Sequence, residues 1–175
     1  MFYSPLFSLK NTTALFLGFC LAFVSCYSFT GSSLSPETKT IKIDYFDYTA
    51  ALYNATFSQE FTEALQDRFR QRTTLNLSNT TADIELTGEV SQYRIDFATV
   101  TGNNNDFSAS QNRLTIEVKV KYNNALEPEK NFYKTYTKSG EFEQGQAIVD
   151  VEKTLHAQIS ELLIEEIFND IVAQW

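Results

Sequence analysis

Between Leu114 and Tyr122 the chain alternates without a fault, with Leu114, Ile116, Val118, Val120 and Tyr122 on one parity and Thr115, Glu117, Lys119 and Lys121 on the other. Successive side chains of a strand leave opposite faces, so this segment is a strand with one dry face and one wet face. A sheet built on it needs a cover on one side only. Two segments have the helical period to supply that cover. Phe57, Phe61, Leu65 and Phe69 fall at four-residue steps with Ala64 beside them, which predicts a helix over about Phe57 to Arg72 with one aromatic stripe. Thr56 and Gln59 stand at the spacing of a capping box in front of it. From Ala147 to Gln174, Ile148, Val151, Leu155, Ile159, Leu163 and Ile167 predict a second helix, about 42 Å long at 1.5 Å per residue. That is more than a four-stranded sheet needs. Ile164, Phe168, Ile171, Val172 and Trp175 widen its apolar surface, so its last turns are expected to cover a second surface or a partner.

Three more strands complete the pattern. Thr40 to Tyr48 reads as the first strand, with Ile41, Ile43 and Tyr45 on one face and Phe46 implying that its end is covered on both sides. In Ala82 to Val100 the apolar parity changes, from Ile84, Leu86 and Val90 to Tyr93, Ile95 and Phe97, and a bulge between Val90 and Tyr93 is the simplest cause. Asn123 to Lys130, with Pro128, turns the chain into a last strand at about Asn131 to Lys138, with Phe132 and Tyr136 inward and Gly140 and Gly145 ending it. The expected fold is therefore α+β, a four-stranded mixed or antiparallel sheet packed on one face by two helices, in the order β-α-β-β-β-α. Thr101 to Asn112, rich in Asn, Gly and Ser, is a polar hairpin tip that is long for a mere turn.

The amino-terminal stretch has a different character. Met1 to Ser25 holds no acid and one base, Lys10, followed by the apolar run Ala14–Val24, the small Ser25 and then Cys26. This is the layout of a secretory signal, too short in its apolar run for a bilayer span of about 20 residues. A cysteine at the cleavage position predicts a lipoprotein, with residues 1–25 removed and Cys26 carrying the acyl chains, palmitate among them. Two chains, each contributing about 0.8 kcal/mol per buried methylene, hold a protein stably on a membrane. An ordinary secreted domain and an uncleaved anchor are the alternatives. Cys20 is a poorer site because Phe19 precedes it, and it leaves with the signal, so Cys26 has no disulfide partner. Residues 26–38 then form a tether whose Tyr27 and Phe29 dock on the domain or at the lipid interface, and residues 39–175 form one domain.

Without the leader the chain carries 13 bases and 22 acids, a formal charge of −9. This charge argues against nucleic acid or an anionic surface as a general partner, while leaving room for a local basic site. Catalytic chemistry is nearly absent too. His156 is the only histidine, which rules out two-histidine metal sites, and its position after core residue Leu155 reads as a partly exposed helical histidine. No glycine-rich phosphate loop occurs. The pairs Glu165/Glu166 and Glu141/Glu143 read as solvated acids, and the sequons at Asn54, Asn76 and Asn79 as chance matches. The expectation is a non-enzyme with no cofactor and no metal.

Several strings in this order, Cys26-Tyr27-Ser28-Phe29-Thr30-Gly31, Phe61-Thr62-Glu63-Ala64-Leu65, Asn112-Arg113-Leu114-Thr115-Ile116, Pro128-Glu129-Lys130 and Glu166-Ile167-Phe168-Asn169 through Trp175, resemble the LptE lipopolysaccharide-assembly lipoproteins in their Bacteroidetes-type form. The resemblance spans Cys26 to Trp175. It implies a plug inside the LptD β-barrel of the outer membrane that assists assembly of the barrel and binds lipopolysaccharide in transit. Tyr27 in place of a retaining aspartate implies outer-membrane sorting, and the lack of an acidic run after Cys26 implies a periplasm-facing anchor. A free-standing periplasmic carrier or adhesion module for an apolar ligand is the competing reading. Two expectations about sites accompany it. The tip, through Asn104 and Phe107, contacts the barrel lumen. Arg94, Arg113, Lys119 and Lys121, on the wet face, either bind lipid A phosphate or simply solvate the sheet and pair with Glu89 and Glu117.

Overall fold

The computed structural model describes residues 34–52, 54, 56–98 and 111–172, all within one unit of the chain, Ser32–Trp175. Cys26 and the rest of the tether up to residue 33, with Asn104, Phe107 and Trp175, lie outside the described residues, whereas Leu34 packs against the core and Thr38 is buried. The elements are β1 (Thr40–Ile43), β2 (Asp47–Tyr48), α1 (Phe57–Arg72), β3 (Asn76–Leu77), β4 (Ile84–Ala98), β5 (Gln111–Asn124), β6 (Phe132–Glu143) and α2 (Ile148–Val172), with a short 3-10 turn at Pro128–Lys130. The class is the expected α+β, but the sheet has six strands rather than four, in the order β3-β1-β4-β5-β6, with β2 also on β4. β1 and β2 run parallel to β4 along the same edge, while β4, β5 and β6 form an antiparallel meander.

The extra strands arise because the segment predicted as one strand is broken in the middle. Ile41 and Ile43 are buried as expected, yet Tyr45 faces solvent and Phe46 turns inward in its place. There its ring meets Phe61 edge-on at 5.2 Å. Its N–H donates to Thr62 Oγ1 at 3.2 Å, and its C=O accepts from the Ser58 hydroxyl. The chain then rejoins β4 as β2. The ring lies over Gly88, the β4 position that must lack a side chain: a Cβ there would come within 2.4 Å of both Phe46 Cε1 and the Lys119 carbonyl oxygen.

The bulge sits where the parity changed, with the β4–β5 register slipping between Val90 and Gln92. Leu86 and Val90 before it and Tyr93 after it consequently face the same covered side. Ile95 and Phe97 share that parity but are exposed, because they extend past the first turn of α1. The last strand runs on through Gly140 to Glu143, a correction to its expected end. Gly140 admits the helix closely, since a Cβ would sit 2.8 Å from Leu155 Cδ2.

The aromatic stripe of α1 is core throughout: Phe57, Phe61, Leu65 and Phe69 are fully buried, whereas Ala64 is exposed. The capping box does not form. Thr56 makes no side-chain cap, and Asn54 Oδ1 instead accepts from Phe57 N–H at 3.0 Å and Thr56 N–H at 3.2 Å. In α2, Leu155, Ile159, Leu163 and Ile167 are buried, together with Ile164, Ile171 and Val172. The wide apolar surface covers the sheet and the other helix at once, with Phe168 tilted on Phe69 at 5.2 Å. At the margin of β6, Lys134 and Lys138 pair with Glu166 and Asp170 of α2, and Tyr136 donates to Asp170 at 2.8 Å.

Candidate functional site: the open face of the sheet

Both helices lie on one side of the sheet, so the opposite face is built from the polar parity of each strand. Odd residues of β5 form its centre, and the register aligns them in rows with their neighbours. Arg113 lies between Asp96 and Glu141, Thr115 between Arg94 and Ser139, Lys119 between Glu89 and Thr135, and Lys121 between Thr87 and Tyr133. The four expected cations are thus brought onto one face.

Their immediate partners are acids. Lys119 reaches Glu89 across the strands at 3.2 Å, Arg113 holds Glu141 at 2.6 Å, and Arg94 Nε lies 2.7 Å from Asp96 on its own strand. The bond to Glu89 raises the Lys119 pKa from its ordinary value, so this side chain stays charged. Glu117 is engaged by the Ser91 hydroxyl at the bulge, 2.7 Å away, rather than by a cation. Lys121 makes no ion pair among the described residues. The face is wet and mixed in charge, with Lys121 uncommitted among the described residues. Across such a sheet an anionic headgroup has to displace a carboxylate to gain Lys119, Arg113 or Arg94.

Two features escaped sequence reasoning. His156 is buried rather than partly exposed, and its Nε2 lies 2.9 Å from the Tyr93 hydroxyl. Burial and the nearby Glu152 carboxylate push the Tyr93 phenol up to about 12. The same burial holds the histidine below its ordinary value, against the opposing pull of Glu152 and Glu60. The phenol and the imidazole share this hydrogen bond, and the other ring nitrogen, Nδ1, lies 3.9 Å from Glu60 Oε2. Phe57 closes the site with its ring 4.9 Å from the imidazole. The bulge that turns Tyr93 toward α2 was visible in the alternation, but its meeting with a residue 63 positions away was not. The second feature is a polar cleft of about 480 Å³ at the rim, lined by Tyr45, Asp47, Tyr48, Asn54 and Gln59. Among the described residues no group of three or more side chains could hold a metal ion.

Comparison with solved structures finds distant folds. A minor lipoprotein from Acinetobacter baumannii is 13% identical, covering 77% of this chain and 92% of its own, with a TM-score of 0.49. A protein from Chlamydia trachomatis is 10% identical over 78% of this chain and 99% of its own, also at 0.49. Lipoprotein B from Nitrosomonas europaea is 12% identical over 74% and 79%, at 0.43. No curated protein matches the chain. A family model for lipopolysaccharide assembly matches residues 38–171, from the strand before the aromatic helix to the last turn of α2. The chain belongs to the LptE lipopolysaccharide-assembly family.

Proposed function

We propose that this envelope lipoprotein works as the plug of an LptD-like outer-membrane β-barrel, assisting assembly of the barrel and contacting lipopolysaccharide on its way to the surface. The observation that carries the reading is the family match over residues 38–171. The open face supports it: a broad, charge-balanced surface suits contact with the polar lumen of a barrel, because it offers hydrogen-bond partners without requiring a buried unpaired charge. In this reading Cys26 is acylated after residues 1–25 are removed, residues 26–38 tether the domain to the periplasmic side of the outer membrane, and the tip with Asn104 and Phe107 enters the lumen. None of the helices among the described residues is long and apolar enough to cross a membrane. The protein performs no catalytic step. Lipid A phosphate is met at Lys121, with Lys119, Arg113 and Arg94 recruited from their acids.

Pull-down of the lipidated protein from outer membranes tests the central claim. A large β-barrel protein should be recovered, and photo-crosslinkers at Asn104 and Phe107 should trap it. Recovery of no barrel, with crosslinks only to bulk periplasmic proteins, would leave the free-standing carrier as the better reading. Cys26→Ala should abolish labelling by a palmitate analogue, and persistent labelling would overturn the anchor.

A further inference from the structure

Among the described residues β4 has a partner on only part of one edge. Its helix-facing residues turn their N–H and C=O groups away from β5, as the accepting carbonyls show: Leu86 takes Asp44 N–H at 3.1 Å, and Val90 takes Thr49 and Ala50 N–H at 3.0 and 3.1 Å. There β2 ends. Beyond it Tyr93, Ile95 and Phe97 have the same orientation, since side-chain face and bonding edge alternate together along a strand. Among the described residues no strand pairs with Gln92–Ala98 on that edge. On the helix-facing side of this stretch Tyr93 is buried, but Ile95 is 36% and Phe97 82% exposed, and Leu52, from the segment after β2, is 48% exposed. Beside them lies a groove of about 420 Å³ bounded by Ala51, Leu52, Gln92, Tyr93 and Ile95.

We infer that this edge pairs with the same edge of a second copy, antiparallel about a two-fold axis through Ile95. The sequence is self-complementary in that register. Ile95 meets Ile95 of the second copy as a mutually bonded pair. Tyr93 meets Phe97, so the protruding phenylalanine of each copy enters the groove beside Leu52 of the other. On the open face Arg94 lies opposite Asp96 in both directions. The 2.7 Å ion pair that these two make within one strand is thereby exchanged for a cross-strand pair. A register shifted by two residues in either direction loses both the charge match and the seating of Phe97. A single short strand pair is a small contact beside the roughly 1,600 Å² of a standard interface, so association is concentration-dependent.

The test is sedimentation equilibrium of the full lipidated chain in density-matched detergent, with charge swaps across the axis. The parent should dimerise. Arg94→Asp and Asp96→Arg, each placing like charges opposite one another twice, should weaken the dimer about tenfold or more, and the double swap should restore it. Phe97→Ser should weaken it without touching charge. A parent that stays monomeric to 1 mM, or a dimer indifferent to the single swaps, overturns the inference. Single swaps that leave self-association unchanged but abolish barrel recovery also overturn it, by assigning the edge to a strand of the partner.

Discussion

Replacing Gly88 by alanine tests the packing that splits the first strand. A Cβ there would lie 2.4 Å from Phe46 Cε1, 2.8 Å from Phe46 Cδ1 and 2.4 Å from the Lys119 carbonyl oxygen. Neither neighbour can yield cheaply. The carbonyl belongs to the β4–β5 ladder, and Phe46 is held by its bonds to Thr62 and Ser58 and by the Phe61 ring. Overpacking of this kind costs about 1–3 kcal/mol, and two rigid contacts put Gly88→Ala at the upper end, ~3 kcal/mol. Alanine recovers about 0.4–1 kcal/mol through the less disordered unfolded chain. The net loss is then about 2 kcal/mol, read as a lower urea midpoint at unchanged m-value. Gly140→Ala is the internal control. Its closest contact, at 2.8 Å, is the end of the Leu155 side chain, which can rotate away, so its cost should stay under about 1 kcal/mol. In a Phe46→Ala background the Gly88→Ala penalty should shrink, leaving only the carbonyl contact. A Gly88→Ala variant within about 0.5 kcal/mol of the parent, or costs equal at the two glycines, would refute the reasoning.

Acidification should expose the buried histidine. His156 is held below its ordinary value of 6.5 when folded, so the unfolded chain binds the extra proton first, and stability falls as pH drops below about 6.5. His156→Gln should flatten that part of the curve in urea melts between pH 7 and 5. Tyr93→Phe, which strands Nε2, should cost about 1–3 kcal/mol at neutral pH, and no change would remove the bond from the account. Asn54→Ala takes the cap from α1 and should lower stability by about 1 kcal/mol, whereas Thr56→Ala should do less; the reverse order would restore the capping box. For lipopolysaccharide, Lys119→Glu with Lys121→Glu should remove most binding if phosphate is met on the open face, with strong salt dependence in the parent. Unchanged binding in surface plasmon resonance would leave these lysines as solvated members of the sheet.

Much of this protein is determined by periods that the chain displays locally. The alternation around Val118 defines a one-sided sheet, the four-residue spacing from Phe57 to Phe69 defines a buried helix stripe, and the parity change after Val90 locates the bulge. These follow from side-chain geometry within a single element, so no knowledge of neighbours is needed. Tertiary structure decided whatever depends on which elements meet. Phe46 rather than Tyr45 turns inward because Gly88, 42 positions later, leaves room for a ring. His156 is buried because the bulge aims Tyr93 at it, and the last turns of α2 meet α1 through Phe168 and Phe69. Ile95 and Phe97 carry the core parity yet remain exposed, because α1 begins too late to cover them. The cations of the open face and the pairing with Glu89 were expected from parity, but only the register shows that Arg113 lies against Glu141 and that Glu117 takes the Ser91 hydroxyl. Cross-strand pairing is a contact between distant segments, and nothing in either segment alone determines it.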